Sequence, residues 1–332
     1  MSTLLRQIPP AWAQLQRLEW PVPAHALRKA LLALAAGVLV MAGIAAGSTF
    51  WAPTRAWWLA VEGGSALVAG VQASLLAAIA TAVGALPVFV VQRVSKRQES
   101  AFMAFSAGVM LAAAVFALLL PSLEASRALV GEGGASALLS GAGLALGMGL
   151  MLAIDRALPH EHAVLPPAAH THTSAWLPRE PAAQRAWLMV LALMIHNLPE
   201  GLAVGAAYAG PSGEDAVHDG AAVALAIGLQ NMPEGLIVAM ALRTLGLGAG
   251  KAWGVAALTG LAEPLGALLG VVVLGSAPVF YPLGLALAAG AMIFVVSHEI
   301  IPETHRDGFE GAASATLLAG FIFMVWLDSA LA

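Results

Sequence analysis

The sequence predicts an all-α, polytopic membrane protein, and three observations support that fold class. Of the 332 residues, 60% are hydrophobic and only 10% are charged, whereas about 25% of residues are charged in a typical soluble domain. The mean hydropathy is +0.84, so the chain has more apolar surface than a soluble core can bury. The apolar residues also form runs of about 20 residues, the length that crosses a bilayer as a helix.

We predict nine transmembrane helices from these runs. The predicted helices are 30–50, 59–86, 101–123, 135–155, 186–209, 219–242, 252–275, 279–300 and 311–331. The first run is long for the apolar region of a cleaved signal peptide, and so is the 29-residue leader before it. We therefore interpret it as a retained helix, which leaves 1–29 as an N-terminal segment.

The basic residues predict the orientation, because cytoplasmic segments are enriched in Lys and Arg. Thirteen of them fall in segments on one side, and only Arg55 and Arg127 fall on the other. The thirteen are Arg6, Arg17, Arg28, Lys29, Arg93, Lys96, Arg97, Arg156, Arg179, Arg185, Arg243, Lys251 and Arg306. The N-terminus is therefore predicted in the cytoplasm and the C-terminus outside, with 156–185 as the longest cytoplasmic loop.

This longest cytoplasmic loop is rich in histidine. It carries His160 and His162, and then His170 and His172. A short His-rich tract indicates metal binding, although a flexible solvated linker is equally consistent with the second pair. The first pair lies beside Asp155 at a predicted helix end, which favours a metal-handling role for it.

A six-residue motif occurs twice within the apolar runs, as HNLPEG at 196–201 and QNMPEG at 230–235. Polar and ionisable groups at membrane depth are costly and by default mark a functional site. His196, Asn197 and Glu200 share one helix face, because residues three and four positions apart are neighbours on a helix. This concentration of oxygen and nitrogen ligands on one face indicates a cation site.

Both copies of the motif are predicted near the bilayer midplane. His196 lies about 15 Å from the inner end of its helix, and Gln230 lies about as far from the outer end of the next helix. A motif repeated on antiparallel neighbours implies a pseudo-two-fold axis in the membrane plane, as in many secondary transporters. Glu263 and Met110 fall at the same depth. Glu263 and the two motif glutamates therefore bring three carboxylates together in a region of low dielectric constant. Three negative charges this close need protons or bound cations between them.

Three of these residues also have a purely structural interpretation. Met110 is consistent with core packing. Gln230 is consistent with an interhelical hydrogen bond that holds two helices together. Glu263 is consistent with pairing to another buried group.

These residues give the chain a specific resemblance to the ZIP (Zrt/Irt-like) divalent-metal transporters, and among them to prokaryotic members of the GufA-type branch. The resemblance covers roughly 59–331 and includes EPLG at 263–266 and SHEIIPETH at 297–305. It implies a transport domain at 59–331, built as an eight-helix bundle with an inverted repeat. The helix at 30–50 then stands in addition before that domain.

The resemblance also implies a binuclear metal centre. The ligands of one site would be Met110, His196, Glu200, Gln230 and Glu234. The ligands of the other would be Asn197, Asn231 and Glu263, with Glu200 and Glu234 bridging the two metals. Asn231 stands where some close relatives carry Asp.

Two further groups of residues are implied on either side of this centre. A release route at the cytoplasmic side would use Asp155, His160, His162, His298 and Glu299. An outer mouth would use Glu124 and Asp328.

The implied function is transport of divalent transition-metal cations into the cytoplasm across the inner membrane. Imidazole suits Zn²⁺ and other transition metals, while carboxylates and amides also accept cadmium, manganese or ferrous iron. The resemblance further implies an elevator-like motion of the third, fifth, sixth and eighth of the nine predicted helices. The expected partners are divalent metal ions and membrane lipid. A net charge of −4 without a basic stripe argues against nucleic acid.

Two alternatives stay open at this point. An intramembrane zinc hydrolase would need three protein ligands, an open position for water and usually a separate general base, and the chain has no HExxH. A passive metal-selective channel is the other alternative. Metal selectivity, proton coupling and oligomeric state, with a homodimer as one option, are not determined by the sequence, and no organic cofactor is expected.

The predicted topology can be tested with cysteines, because the native chain has none. Single cysteines at Ser174 and Ala332 are expected to react with an impermeant thiol reagent from opposite membrane faces. Ser174 should be labelled only when the cytoplasmic face is exposed. Labelling of both positions from outside in intact cells would contradict the map.

Overall fold

The computed structural model confirms the all-α, polytopic fold class. It describes residues 66–91, 93–157, 181–210, 214–274 and 276–331. Within these ranges there is no strand, and eight helices are long and apolar enough to cross a membrane. The predicted segment 1–29, the additional helix at 30–50 and most of the His-containing loop lie outside the described residues, so those predictions are not tested.

The eight helices alternate in direction along the chain. They are α1 (Ala66–Phe89, with a closing 3₁₀ turn), α2 (Lys96–Val130), α3 (Gly134–Ala157), α4 (Pro181–Tyr208), α5 (Glu214–Thr244), α6 (Ala249–Leu274), α7 (Phe280–His305) and α8 (Glu310–Leu331). We call the end where α2, α4, α6 and α8 begin the basic end, because Lys96, Arg156 and Arg306 lie there. Several helices extend beyond the predicted apolar runs, since polar residues can continue a helix outside the bilayer.

The start of α2 illustrates why the sequence understates helix length. Ser95 caps the helix: its hydroxyl oxygen accepts a hydrogen bond from the backbone N–H of Gln98, and the Gln98 side chain accepts one from the backbone N–H of Ser95. This reciprocal pair satisfies two backbone donors at the helix start. The helix therefore begins five residues before the apolar run that predicts it.

Two helices contain a wider π-helical segment where a proline interrupts the backbone hydrogen bonds of the helix. Helix α2 has a π segment at Ala113–Leu119, shortly before Pro121. Helix α7 has one at Val296–Ile300, shortly before Pro302. Proline cannot donate a backbone hydrogen bond, and π segments inside helices frequently occur at functional sites. Each widening changes the direction in which the following side chains point.

The helices pack as two four-helix units. In the first unit, α1 packs along α5 and α4 packs along α6. In the second unit, α2 packs along α8 and α3 packs along α7. The members of each of these pairs run in the same direction and are distant in sequence, so this pairing could not be read from the sequence.

Glycines set the spacing inside the first unit. A Cβ atom on Gly201, the last residue of the first motif, would collide with the backbone carbonyl of Glu263 in α6. A Cβ atom on Gly235, the last residue of the second motif, would collide with the backbone carbonyl of Thr81 in α1. Small residues at these positions let the helix backbones touch. Each copy of the motif is thereby fixed against a specific partner helix.

The glycine contacts also define an inverted repeat. In the second unit, Gly108 of α2 meets the backbone of Leu317 in α8, and Gly290 of α7 meets the backbone of Leu144 in α3. Positions 108 and 290 are 182 residues apart, and so are positions 81 and 263, which receive the two motif glycines. Helices α1–α3 therefore correspond to α6–α8, and α4 corresponds to α5. Because α1 and α6 run in opposite directions, the repeat is inverted.

A pair of substitutions in α3 tests this packing away from the candidate site. Gly147→Ala is expected to destabilise the protein by roughly 1–3 kcal/mol, the usual cost of overpacking, because its Cβ would collide with the backbone carbonyl of Leu287. Gly149→Ala, two residues along, has nothing within 4 Å of the new Cβ and should be neutral. Thermal unfolding in detergent would measure both, and equal melting temperatures would contradict the α3/α7 contact.

Candidate metal centre

A cavity of about 560 Å³ lies between the two units, walled by α2, α4, α5 and α7. Its mouth is at the basic end, where Lys96 and Arg306 contribute to the lining, and it reaches inward as far as Met110 and Glu200. The wall along its depth is mostly apolar. Polar side chains line both ends: Lys96, Glu99, Glu303 and Arg306 at the mouth, and His196, Glu200 and Glu234 at the inner end.

The residues expected in the first metal site converge on this cavity. Met110, His196, Glu200 and Glu234 line it. Gln230 lies directly behind Glu200, and its Nε2 donates a hydrogen bond of 2.6 Å to Glu200 Oε1. Both Glu200 and Gln230 are fully buried. The structure thus brings together all five residues, which come from three helices.

The residues expected in the second site are buried outside the lining of the cavity. Asn231 Nδ2 donates a 2.8 Å hydrogen bond to Glu263 Oε1 and a weaker one of 3.3 Å to the carbonyl oxygen of Ala77. Asn197 is also buried. Because Asn231 follows Gln230 directly in α5, this pair lies next to the first group of residues. It forms a closed polar cluster between α5, α6 and α1.

Several acceptor oxygens in these two groups have no hydrogen-bond partner among the residues that the structure describes. They are Glu200 Oε2, Gln230 Oε1, Asn231 Oδ1 and Glu263 Oε2. A buried acceptor without a partner is costly and rare in a folded protein. Four such oxygens from neighbouring residues form an electron-rich region inside the membrane, which is the chemistry that attracts a cation.

The carboxylates are not gathered into a cluster made only of charged ligands. Among the described residues, no three His, Asp or Glu side chains form a group that could hold a metal ion. Each candidate glutamate instead accepts a hydrogen bond from a neutral donor. A cation at this position would therefore be coordinated with the help of amide and thioether groups, or after the glutamates exchange their neutral donors for it.

The imidazole of His196 points towards the cavity mouth. Its Nε2 lies 2.7 Å from Oε2 of Glu299 in α7, whereas the sequence predicts the two residues in separate places, at the midplane and on the release route. The reason is the π segment Val296–Ile300, which contains Glu299 and changes the direction of its side chain. The structure therefore joins the inner end of the cavity to part of the expected release route.

His298, the neighbour of Glu299, also lines the cavity but contacts other residues. Its ring stacks on Phe294, with ring centroids 4.8 Å apart, and its Nε2 lies 3.8 Å from Oδ2 of Asp155 in α3. With 44% of its side chain exposed, His298 is more accessible than Glu299. Of the expected release-route residues, Glu299 thus contacts His196, whereas His298 lies near Asp155.

Comparison with known proteins identifies the family. The family model described as "ZIP Zinc transporter" matches residues 160–328. The chain is 45% identical over 252 residues to zinc transporter ZIPB of Bordetella bronchiseptica, covering 76% of this chain and 78% of that protein. It is 44% identical over 264 residues to zinc transporter GufA of Myxococcus xanthus, covering 79% and 99%. The chain belongs to the ZIP family.

The ZIP relatives extend beyond bacteria. Human zinc transporter ZIP11 is 30% identical over 317 aligned residues, which cover 75% of this chain and 93% of that protein. Membership of a family of metal transporters sets aside the intramembrane hydrolase considered above, so this ZIP protein is not an enzyme. It is a multi-pass membrane protein whose relatives are named for zinc transport.

The remaining expected residues of this ZIP protein lie away from the cavity or outside the described residues. Glu124 is exposed near the end of α2, and Asp328 is half-buried near the end of α8. Both are at the end of the bundle opposite the basic end, and their role at an outer mouth stays a prediction. His160 and His162 lie outside the described residues, so the structure does not test them.

One cavity residue was missed by the sequence analysis. Ser106 of α2 is buried, lines the cavity, and lies one helical turn before Met110. Its hydroxyl is 2.6 Å from Glu234 Oε1 and 3.2 Å from the backbone carbonyl oxygen of Gln230. The one signal in the sequence was its spacing of four residues from Met110, and a serine in a run of small residues does not stand out.

Replacing Asn231 tests the second group of residues. Asn231→Asp removes the donor to Glu263 and adds a carboxylate, so without metal we expect destabilisation of at least the roughly 1–3 kcal/mol of an unsatisfied buried acceptor. A divalent cation would neutralise the pair, so bound metal and thermal stability with zinc should both rise, with turnover equal or lower because release is slower. Elemental analysis and unfolding with and without zinc would measure this.

Asn231→Ala is the matched control, because it removes the same donor without adding charge. It should be destabilised but gain no bound metal. If Asn231→Asp changes neither metal content nor turnover, Asn231 is not part of a metal site.

Proposed function

We propose that this ZIP protein carries divalent transition-metal cations, with zinc as the main substrate, across the inner membrane into the cytoplasm. The observation that carries the proposal is the cavity between the two units, which leads from the basic end to Met110, His196 and the buried glutamates. The names of its relatives, all zinc transporters, support zinc as the substrate.

The ligand set favours a metal that is bound and then released. One thioether, one imidazole, one amide and two carboxylates suit zinc and cadmium, and also accept ferrous iron or manganese. The chain contains no cysteine, so it lacks the thiolates that characterise closed structural zinc sites. A transported ion must also leave its site, and these mixed ligands are compatible with that requirement.

We further propose a binuclear centre in which Glu200 and Glu234 bridge two metal ions. The unpaired oxygens support it, because they belong to both groups: Glu200 on the cavity side, and Asn231 and Glu263 beside it. Two divalent ions bring four positive charges, and the three glutamates supply at most three negative ones. Asn231 therefore makes the second site the weaker of the two.

The cavity is proposed to open to the cytoplasm. Among the described residues, the basic end carries Arg93, Lys96, Arg97, Arg156, Arg243, Lys251 and Arg306, whereas the opposite end carries Arg127. This asymmetry follows the positive-inside rule. The pair of His196 with Glu299, and then the pair of His298 with Asp155, would receive the metal in turn on its way out.

An alternating-access motion is favoured over a passive channel. Beyond Met110, towards the opposite end, the space between the units is filled by buried apolar side chains, including Leu118, Ile227 and Leu285. A cavity closed on one side is the expected form of a carrier, and a channel would need a continuous path. Release to the other side then requires one unit to move relative to the other.

The packing supports a different moving unit from the one that the resemblance implied. That implied set corresponds to α2, α4, α5 and α7, but α4 and α5 are in backbone contact with α6 and α1 through the motif glycines. We therefore propose that α1, α4, α5 and α6 move together as an elevator. Helices α2, α3, α7 and α8 would form the scaffold.

Neutralising a proposed bridging carboxylate tests the site. Glu200→Gln and Glu234→Gln should each abolish nearly all zinc uptake into proteoliposomes, because two cations would be poorly neutralised where water screens weakly. We expect a loss of about 100-fold or more, since one buried charge at close range is worth several kcal/mol.

Glu132→Gln is a suitable control, because Glu132 is exposed in the connection between α2 and α3. It should retain full uptake and separate the loss of a ligand from a general effect of reduced negative charge. Uptake by either bridging variant within about twofold of the unsubstituted protein would refute the proposed site.

A further inference from the structure

Two side-chain hydrogen bonds cross between the four-helix units at the cavity. Ser106 of α2 donates to Glu234 of α5 over 2.6 Å. Glu299 of α7 pairs with His196 of α4 over 2.7 Å. Helix pairs α2/α5 and α7/α4 correspond to each other in the inverted repeat, but the two contacts do not occupy equivalent positions in them, because the 182-residue offset relates position 106 to position 288. All four residues line the cavity. In both ties, the partner on the proposed moving unit is a candidate metal ligand.

We propose that Ser106 is a positioning residue that ties the metal-binding unit to the scaffold whenever no cation is bound. This inference rests on the proposed function, and it adds a role for a residue outside the expected ligand set. Ser106 and Glu299 together would form a latch. A bound cation would open the latch, because it takes over the same ligand atoms.

The competition at His196 is direct. Nε2 of an imidazole can bind one metal ion or take part in one hydrogen bond, and here it is engaged with Glu299. A metal ion that binds at Nε2 therefore displaces Glu299. At Glu234, a bridging carboxylate needs both of its oxygens, and Oε1 is the oxygen to which Ser106 donates. Sharing the carboxylate charge with a cation weakens that hydrogen bond, since bonds to ionised acceptors owe their strength to the charge.

The latch has a consequence for the transport cycle. After release, net uptake requires the empty protein to return to the other side, and the latch opposes this movement. Exchange of labelled for unlabelled metal needs only the loaded protein to move. Exchange should therefore be faster than net uptake. Without the latch, the empty protein returns more easily, so the rate of net uptake should approach the rate of exchange.

Ser106 is the appropriate residue to substitute, because it removes a tie without removing a candidate ligand. Its side chain is buried at 1% exposure and its hydroxyl reaches only acceptors on α5 in the described contacts. Ser122→Ala is the matched control in the same helix. Ser122 is also buried, and it donates to the carbonyl oxygen of Pro282 over 2.7 Å, entirely within the scaffold unit.

The first measurement compares zinc uptake into zinc-free proteoliposomes with exchange into zinc-loaded ones. For Ser106→Ala, the ratio of exchange to net uptake is expected to fall roughly threefold to tenfold, the size of one buried hydrogen bond. For Ser122→Ala, the ratio should stay as in the unsubstituted protein. An unchanged ratio in Ser106→Ala, or an equal fall in both variants, would overturn the proposal.

The second measurement does not depend on transport. Ala192 lines the cavity, so a cysteine introduced there as Ala192→Cys reports how often the cavity is open to a thiol reagent. In metal-free protein, Ser106→Ala should slow this labelling severalfold, because the untied units spend less time with the cavity open. Ser122→Ala should leave the rate unchanged, and an unchanged rate in Ser106→Ala would overturn the proposal.

The two measurements separate this inference from the proposed function. If the unsubstituted protein takes up no zinc, the proposed function fails, and the labelling rate alone decides whether Ser106 ties the units. If uptake is present, both expected changes are required, and the absence of either refutes the latch while leaving metal transport intact.

Discussion

The placement of three glutamates inside a membrane bundle is the constraint on which the rest of the structure depends. An isolated carboxylate at that depth is expensive, so each one must be given a donor or a cation. Glu200 accepts from Gln230, Glu263 accepts from Asn231, and Glu234 accepts from Ser106. All three donors are neutral. The glutamates therefore keep enough electron density to attract a cation, which a permanent ion pair with Lys or Arg would remove.

This arrangement requires helices that approach unusually closely. The motif glycines bring α4 against α6 and α5 against α1, with backbone touching backbone. The amide donors of α5 then join these two pairs of helices, because Gln230 reaches Glu200 on α4 and Asn231 reaches Glu263 on α6. A larger residue at Gly201 or Gly235 would separate the helices that carry the polar groups. In this protein, small residues and polar residues thus act together. The glycines determine the distance, and the amides determine which oxygens are satisfied and which stay unpaired.

The same close packing is compatible with the proposed movement of one unit relative to the other. Within each four-helix unit, contacts are close and run along whole helices, so the candidate ligands on α4, α5 and α6 keep their relative positions. Between the units lies the cavity, where contacts are fewer and polar ties such as Ser106 with Glu234 are replaceable. Met110 belongs to the scaffold unit. A cation bound by both units would therefore lose the Met110 ligand when the units move apart, which assists release.

The spacing of apolar and polar residues along the chain was enough to predict much of this protein's architecture from its sequence alone. Apolar runs predicted the fold class and the eight described helices, and the repeated motif predicted the inverted symmetry and the convergence of Glu200, Glu234 and Gln230. Tertiary structure decided the rest. The Asn231–Glu263 hydrogen bond joins different helices. The His196–Glu299 contact depends on a π segment that shifts side-chain direction. Ser106 is identified only by its contact with Glu234 on another helix. Periodicity fixes which side chains share a face of one helix, but only packing determines which faces of distant helices meet.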